Sequence, residues 1–160
     1  MPIAHINIGS NLGDSRSLIE RAVAEISLLS ATPLRRSAFM KSEPWGYTSS
    51  HGFLNIGVEI ETVLPPQALL KTLLAIQNAI SPLSHRTHAG TYADRLIDID
   101  LIYYGNEILN FPATTTLPAL IIPHPRLHLR RFVLHPIAEL SPSWRHPLLH
   151  LTAAELLAQP

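Results

Sequence analysis

The alternation of apolar and polar positions divides the first two-thirds of the chain into strand-like and helix-like segments. Short runs rich in β-branched residues predict strands at 3–9, 34–41, 53–61 and 96–104. In the third run Leu54, Ile56, Val58 and Ile60 alternate with Phe53, Asn55, Gly57, Glu59 and Glu61. This period of two predicts a strand with two different faces.

Two intervening segments carry apolar residues at helical spacing instead. One is residues 15–29, which Asp14, or Ser17 together with Glu20, could cap. The other follows Pro65-Pro66. Their predicted buried faces consist of Leu18, Ala22, Ile26 and Leu29, and of Leu69, Leu73 and Ile76. The order β-α-β-β-α-β predicts an α+β fold, a ferredoxin-like split βαβ sandwich in which helices pack on one face of an antiparallel sheet.

Two aspartates interrupt the fourth strand. Alternation places Ile97, Ile99, Leu101 and Tyr103 on one face and Asp98, Asp100 and Ile102 on the other. The two acids would have Cα atoms about 6.5 Å apart, so their carboxylates could converge on one hard cation or hold two that share a polyphosphate. Mg²⁺ suits such a site because water and phosphate complete its coordination. The alternative is a solvent-facing strand with two acids. The face that carries Phe53, Asn55 and these acids would be the working face.

The last third of the chain is unusually rich in proline. Seven of the 14 prolines fall between residues 112 and 147, which predicts mostly loops and short helices. We expect a short strand near 107–110 and helices near 131–139 and 152–158.

Composition excludes several classes of protein. A chain of 160 residues with 46% hydrophobic residues is most simply one domain, 1–160. Zero net charge gives no general attraction to nucleic acid or to an anionic membrane. There are no cysteines, no signal-peptide pattern and no apolar run of about 18 residues. These features favour a cytoplasmic protein.

Other candidate motifs have more than one interpretation. The turn Gly9-Ser10-Asn11-Leu12-Gly13, between a strand and a helix, could bind phosphate or could simply be a tight turn. Nine histidines include pairs with zinc-like spacing, but these lie beside prolines, which favours surface or phosphate-contacting roles. Arginines near the acidic strand suit polyphosphate or a solvated surface; these are Arg95, Arg126, Arg130 and Arg131. On spacing alone, we expect the side chains of Phe53 and Phe132 to pack in the core.

Several segments taken together resemble the 6-hydroxymethyl-7,8-dihydropterin pyrophosphokinase family of folate biosynthesis. In chain order they are Gly9-Ser10-Asn11-Leu12-Gly13, Ser42-Glu43-Pro44-Trp45-Gly46, Phe53-Leu54-Asn55, Asp94-Arg95-Leu96-Ile97-Asp98-Ile99-Asp100 and the stretch from Pro123 to Phe132. The resemblance covers essentially the whole chain, which has the size of a monofunctional member.

The resemblance implies an enzyme that transfers pyrophosphate from ATP to the pterin hydroxymethyl group and releases AMP. Asp98 and Asp100 would hold two Mg²⁺ ions and, with Arg95, form the catalytic set. Pterin would contact Ser42, Pro44, Trp45, Gly46, Phe53, Asn55 and Phe132, with its ring between the two phenylalanines. ATP would contact Gln77, Arg86, Arg95, His124, His128 and Arg130. The enzyme would act as a monomer, and loops near 43–52 and 81–94 would close over its substrates.

The chain departs from the common family pattern in the second helix and the following loop. Gln77 stands where glutamate is usual, Ser81-Pro82 replaces Gly-Arg, and Thr91-Tyr92-Ala93-Asp94-Arg95 replaces Arg-Trp-Gly-Pro-Arg. Arg86 is then the one arginine left in the loop to assist closure over ATP.

Two other functions compete if the resemblance is set aside. A metal-dependent phosphohydrolase or nuclease would also use two aspartates on a strand. An RNA-binding ferredoxin-like module would use Phe53 as a stacking platform, although the neutral charge and the two acids argue against it.

Overall fold

The computed structural model describes residues 1–43, 52–81 and 96–160. Its strands are β1 (Ile3–Ser10), β2 (Arg35–Arg36), β3 (Met40–Ser42), β4 (Phe53–Glu61), β5 (Asp98–Tyr104), β6 (Leu109–Phe111) and β7 (Leu120–Ile122). Its α-helices are α1 (Ser15–Ser27), α2 (Pro66–Ile80), α3 (Arg131–Leu140) and α4 (Ala153–Leu157), and a 3₁₀ turn spans Leu127–Leu129. None of these helices is long and apolar enough to cross a membrane.

The main sheet has the predicted ferredoxin-like arrangement. Its strand order is β2-β4-β1-β5, and β3 also pairs with β4. All of these pairings are antiparallel. Helices α1 and α2 cover one face, where the main core contains Ile6, Ile8, Ile56, Val58 and Ile60 from the two central strands. Burying these side chains completely is worth about 1.5–3 kcal/mol each.

The first helix begins as the turn chemistry predicts. The Asp14 carboxylate accepts hydrogen bonds from the Ser17 backbone N–H (3.2 Å) and hydroxyl (2.9 Å), so Asp14 is the N-cap. The second helix has Pro66 in its first turn, where the missing N–H has no intrahelical partner to lose.

The strand predicted at 34–41 is divided into β2 and β3. Between them, the Ser37 hydroxyl accepts the hydrogen bond of the Gly57 N–H at 2.9 Å, while the Ser37 N–H donates to the Gly57 carbonyl at 2.9 Å. A side-chain acceptor therefore replaces a backbone acceptor at this point, and the regular ladder stops for a few residues.

The face predicted for Tyr103 is wrong. Ile6 pairs with Leu101 but His5 pairs with Tyr103, so Ile102 is an extra residue in β5. This β-bulge reverses the alternation beyond it. Tyr104, not Tyr103, joins Leu101 in the main core, and Tyr103 turns to the opposite face with Ile102.

The second face of the sheet is covered over only part of its extent. Helices α3 and α4, close to the predicted 131–139 and 152–158, form a second core with Ile102, Tyr103 and Trp144. Gly57 allows α3 to approach β4 closely, since a Cβ at position 57 would lie 2.4 Å from Pro136 Cβ. Strand β7, which pairs with β6, was not predicted because it is three residues long within the proline-rich region.

A buried carboxylate anchors the covered part. Glu59 is 2% exposed and accepts hydrogen bonds from His5 Nδ1 (2.7 Å), Tyr103 OH (2.6 Å), Ser141 Oγ (2.6 Å) and the Arg35 guanidinium. Burial alone would raise the pKa of Glu59, but the hydrogen bonds and charge of His5 and the two hydroxyl donors outweigh it and hold that pKa low. Burial of the Tyr103 hydroxyl and the neighbouring negative charge of Glu59 raise the pKa of Tyr103.

Candidate active site

The uncovered part of the same face forms a pocket. It is lined by Asn7, Gly9, Ser42, Glu43, Phe53, Asn55, Asp98, Asp100, Arg130 and Phe132. Seven of these residues are candidates from the sequence: Ser42, Phe53, Asn55, Asp98, Asp100, Arg130 and Phe132. The pocket therefore brings together predicted residues that are up to 90 positions apart in the chain.

Sheet register explains the meeting of the polar side chains. Asp98 and Asp100 lie opposite Gly9 and Asn7 of the central strand. On the other side of β1, Gly9 lies opposite Asn55. Gly9 has to be glycine here, because a Cβ would lie 2.9 Å from Asn55 Oδ1 and 3.4 Å from the Phe53 ring. A side chain at position 9 would therefore collide with the Asn55 and Phe53 side chains that line the pocket.

The two aspartates project from one face of β5, and Ile99 between them points into the main core. Both are partly exposed, and the Asp100 side chain retains 30% of its accessible surface. Gln77 supports this strand from α2, since its Oε1 accepts a hydrogen bond from the Ile99 N–H at 2.8 Å. That contact places Gln77 beside β5 at the residue between the two aspartates, and it occupies the Gln77 side-chain oxygen.

Arg130 and Phe132 reach the pocket from the start of α3. An Arg130 terminal nitrogen lies 3.8 Å from an Asp100 carboxylate oxygen. The Arg130 guanidinium carbon is also 5.8 Å from the centre of the Phe132 ring, within range of a cation–π interaction. Phe132 packs partly against the second core and still lines the pocket, so the core-packing interpretation and the site interpretation both describe it.

Asn55 and Ser42 form a fixed polar corner beside Phe53. Asn55 is 2% exposed, and its Nδ2 donates hydrogen bonds to Ser42 Oγ (2.7 Å) and to the Met40 carbonyl (3.3 Å). The pairing of β3 with β4 sets Ser42 opposite Phe53. The Asn55 amide is therefore held in one orientation, which is what recognition of a directional polar edge needs.

His124 lies beside β5 and just before the 3₁₀ turn, and its backbone N–H donates to the Ile102 carbonyl at 2.7 Å. Burial and the nearby Arg130 and Arg126 charges lower the pKa of His124 to about 4, against a smaller opposite effect of Asp98. Its Nδ1 accepts a hydrogen bond from the Arg126 N–H at 3.1 Å. The imidazole is thus neutral at pH 7 with its proton on Nε2, which makes it a hydrogen-bond donor.

His128 and His124 line a neighbouring apolar groove, together with His146, Ile121 and Leu148, and neither is among the residues that line the aspartate pocket. His128 also contacts a third histidine in this groove. Its ring meets the His146 ring edge-on, with the centroids 6.4 Å apart.

Other candidates lie outside the described residues. They are Pro44, Trp45, Gly46, Arg86 and Arg95. In the parts of the chain that the structure describes, no group of three or more His, Asp or Glu side chains could hold a metal ion. Asn7 and Glu43 line the pocket but were not predicted; a polar residue inside the apolar strand 3–9 was the available signal for Asn7.

Paired aspartates, an arginine and two aromatic rings around one pocket suit an enzyme that transfers phosphoryl groups to a flat substrate. Comparison with known families is more specific. Residues 5–142 match the family 7,8-dihydro-6-hydroxymethylpterin-pyrophosphokinase (HPPK), and the chain belongs to this family. The resemblance deduced from the motifs is confirmed, and with it the class of enzyme, a pyrophosphokinase.

Curated proteins of the same family are similar in sequence to this chain over most of its length. A 2-amino-4-hydroxy-6-hydroxymethyldihydropteridine pyrophosphokinase of Porphyromonas gingivalis is 35% identical over 92% of this chain and 95% of its own length. The enzyme of the same name from Bacillus subtilis is 34% identical over 86% of this chain and 77% of its own length.

Solved structures support the fold. A Plasmodium falciparum HPPK-DHPS crystal structure with SDX-DHP superposes with a TM-score of 0.73 at 14% identity, covering 98% of this chain. A crystal structure of HPPK-DHPS in complex with substrates has a TM-score of 0.68 at 14% identity. This chain spans 43% and 42% of those longer chains, respectively.

Proposed function

We propose that this chain transfers the pyrophosphoryl group of ATP to the hydroxymethyl group of 6-hydroxymethyl-7,8-dihydropterin in folate biosynthesis. The observation that carries the proposal is the single pocket in which Phe53 and Phe132 lie with Asp98, Asp100 and Arg130. Aromatic side chains suit a flat heterocycle, and the charged groups suit a polyphosphate and its counterions.

The residues present fit Mg²⁺. Asp98 and Asp100 offer hard oxygen ligands from one face of a strand and are partly exposed within the pocket. Two carboxylates with open space around them match a metal that takes its remaining ligands from water and phosphate. They would hold two Mg²⁺ ions, which would neutralise charge on the transferred group. A structural zinc site usually needs four protein ligands, which this pair does not supply.

The pterin ring belongs at the β4 side of the pocket. Phe53 and Phe132 would stack on its faces, and Asn55, oriented by Ser42, would read its polar edge. Pro44, Trp45 and Gly46 would add contacts from the adjoining segment. A buried, fixed amide can discriminate strongly, because a ligand with the wrong donor pattern leaves it unpaired.

ATP belongs on the β5 side. Arg130 would pair with phosphate oxygens, and the neutral His124 would donate its Nε2–H to a phosphate or ribose oxygen. Gln77, His128 and Arg86 would complete the nucleotide contacts, and Arg95 would act on the phosphates during transfer. Gln77 already holds β5 in place through the Ile99 N–H, so its first contribution is to position the aspartates.

The reaction needs positioning more than covalent catalysis. The hydroxymethyl oxygen forms a bond to the β-phosphorus of ATP, and the bond from that phosphorus to the oxygen shared with the α-phosphate breaks. AMP leaves with the bond's electron pair, and the hydroxyl proton is lost to solvent. Phosphoryl transfer of this kind depends on in-line geometry and charge neutralisation.

The chain as a whole would work as one cytoplasmic catalytic domain, 1–160, and as a monomer. Its zero net charge supports the absence of a nucleic-acid or membrane partner. The family match across residues 5–142 supports a single domain.

Product analysis tests the proposed function. The protein is incubated with ATP, Mg²⁺ and 6-hydroxymethyl-7,8-dihydropterin, and products are separated chromatographically. We expect equal amounts of AMP and pterin diphosphate, with none when Mg²⁺ is chelated. Formation of ADP or inorganic phosphate without a pyrophosphorylated pterin would instead indicate a phosphohydrolase.

A further inference from the structure

Asn7 occupies an unusual position in the central strand. It lies on the pocket face of β1, opposite Gly57 on one side and Asp100 on the other. The residue is 4% exposed, yet it lines the pocket. Its side-chain oxygen Oδ1 is buried and accepts no hydrogen bond from the residues that the structure describes. A buried acceptor without a donor costs free energy, so its presence calls for an explanation.

Two other polar side chains on this face have hydrogen-bond partners among the described residues, although His5 Nε2, which does not line the pocket, is also buried without one. The Asn55 amide donates to Ser42 and to the Met40 carbonyl, and the next β1 residue on this face, His5, donates to Glu59. For Asn7, the two residues that lie opposite it on the neighbouring strands offer no donor to its Oδ1. Gly57 has no side chain, and Asp100 is a carboxylate, which when ionised can only accept. Because Asn7 lines the pocket, a ligand bound there can supply the donor that Oδ1 lacks.

The order of strands indicates which part of the substrate lies there. β1 is the middle strand between β4, which carries Phe53, and β5, which carries Asp100. A ring held at Phe53 and a phosphate held at Asp100 must be joined across β1. The group that crosses is the hydroxymethyl arm, whose oxygen bonds to phosphorus. From β1 the pocket lining receives Asn7 and Gly9, so the side-chain acceptor on this path is Asn7.

We propose that Asn7 Oδ1 accepts a hydrogen bond from the hydroxymethyl O–H of the bound pterin and orients the attacking oxygen toward the phosphate. This inference rests on the proposed function. An amide does not take the proton; it fixes the direction of the O–H bond and leaves an oxygen lone pair toward phosphorus. It also makes the site selective for an alcohol, because a ligand without the hydroxyl leaves Oδ1 unpaired.

The test compares two ligands that differ in one oxygen. Binding of 6-hydroxymethyl- and 6-methyl-7,8-dihydropterin is measured by calorimetry with Mg²⁺ and an ATP analogue that has a methylene bridge between the α- and β-phosphorus. The variants are Asn7→Leu, of similar shape without an acceptor, and Asn7→Ala. We expect each variant to bind the hydroxymethyl ligand about 3- to 10-fold more weakly. Affinity for the methyl ligand should stay within about twofold of wild type, so the preference for the alcohol disappears.

Asn55→Ala is the matched control, because its amide belongs to the ring edge and should weaken both ligands by the same factor. Equal weakening of both ligands by the Asn7 variants, or no weakening, would overturn the inference. So would failure of both variants to fold, since that would show a structural role. The proposed function is judged separately, by pterin diphosphate and AMP formed by the wild-type protein.

Discussion

Two parts of one sheet face carry carboxylates that differ in burial and in hydrogen bonding. In the covered part, under α3, the Glu59 side chain is 1% exposed and receives hydrogen bonds from four side chains. In the open part, the Asp100 side chain is 30% exposed and lines a pocket with Asp98. The same residue chemistry therefore serves stability where the protein surrounds it and ligand binding where the protein leaves access.

The largest effect is expected from Asp98→Ala and Asp100→Ala. Each should reduce turnover by about a thousandfold or more, since a metal contributes several kcal/mol to transition-state stabilisation. The unfolding free energy should change by less than about 1 kcal/mol, because neither acid is buried. Steady-state kinetics and urea denaturation measure the two quantities. Glu107→Ala, an exposed acid just beyond β5, is the control and should leave both unchanged.

The covered part should respond in the opposite way. Glu59→Gln removes the charge that pairs with His5 and Arg35, and breaking a buried pair typically costs about 3–5 kcal/mol. Turnover per folded molecule should remain near wild type, because Glu59 does not line the pocket. Glu20→Gln is the control: its pair with Arg36 lies at the surface, so the loss should be below about 1 kcal/mol. A stable but inactive Glu59→Gln would contradict the division.

Phe132→Ala sharpens the boundary, since Phe132 touches both the second core and the pocket. Loss of one stacking surface should weaken pterin binding by about 10- to 100-fold, and affinity for an ATP analogue should be nearly unchanged. Phe39→Ala, whose ring stacks under Arg16 outside the pocket, should affect neither ligand. Calorimetric titration with each ligand is the measurement. Equal loss of both ligands, or loss of near-UV circular dichroism, would assign Phe132 to the core alone.

The smallest effect concerns pH. The pKa of His124 is lowered to about 4, so the unfolded chain takes up a proton below about pH 6.5 that the folded protein does not. Folding is therefore favoured by neutral His124 above about pH 6.5, and this contribution falls as pH falls toward 4. The unfolding free energy of the ligand-free wild type should drop more between pH 7 and 5 than that of His124→Gln. Identical pH dependence of the two proteins would show that His124 is not held neutral.

The sequence predicted the elements that follow from periodicity and from motifs. The ferredoxin-like order, both main helices and the meeting of Phe53, Asp98 and Asp100 are of this kind, because alternation and register fix which side chains share a face. It failed at Ile102, since an extra residue in one strand is set by the pairing partner and leaves the period of the sequence unchanged. The packing of α3 against Gly57 was also not predicted, because α3 is distant from Gly57 in the chain.

The decisive measurement is anomalous diffraction from a crystal that contains Mn²⁺, a non-hydrolysable ATP analogue and the pterin. We expect metal peaks within about 2.0–2.3 Å of carboxylate oxygens of both Asp98 and Asp100, with the pterin ring between Phe53 and Phe132. Metal bound elsewhere, or a pterin that does not contact the open part of this face, would contradict this expectation.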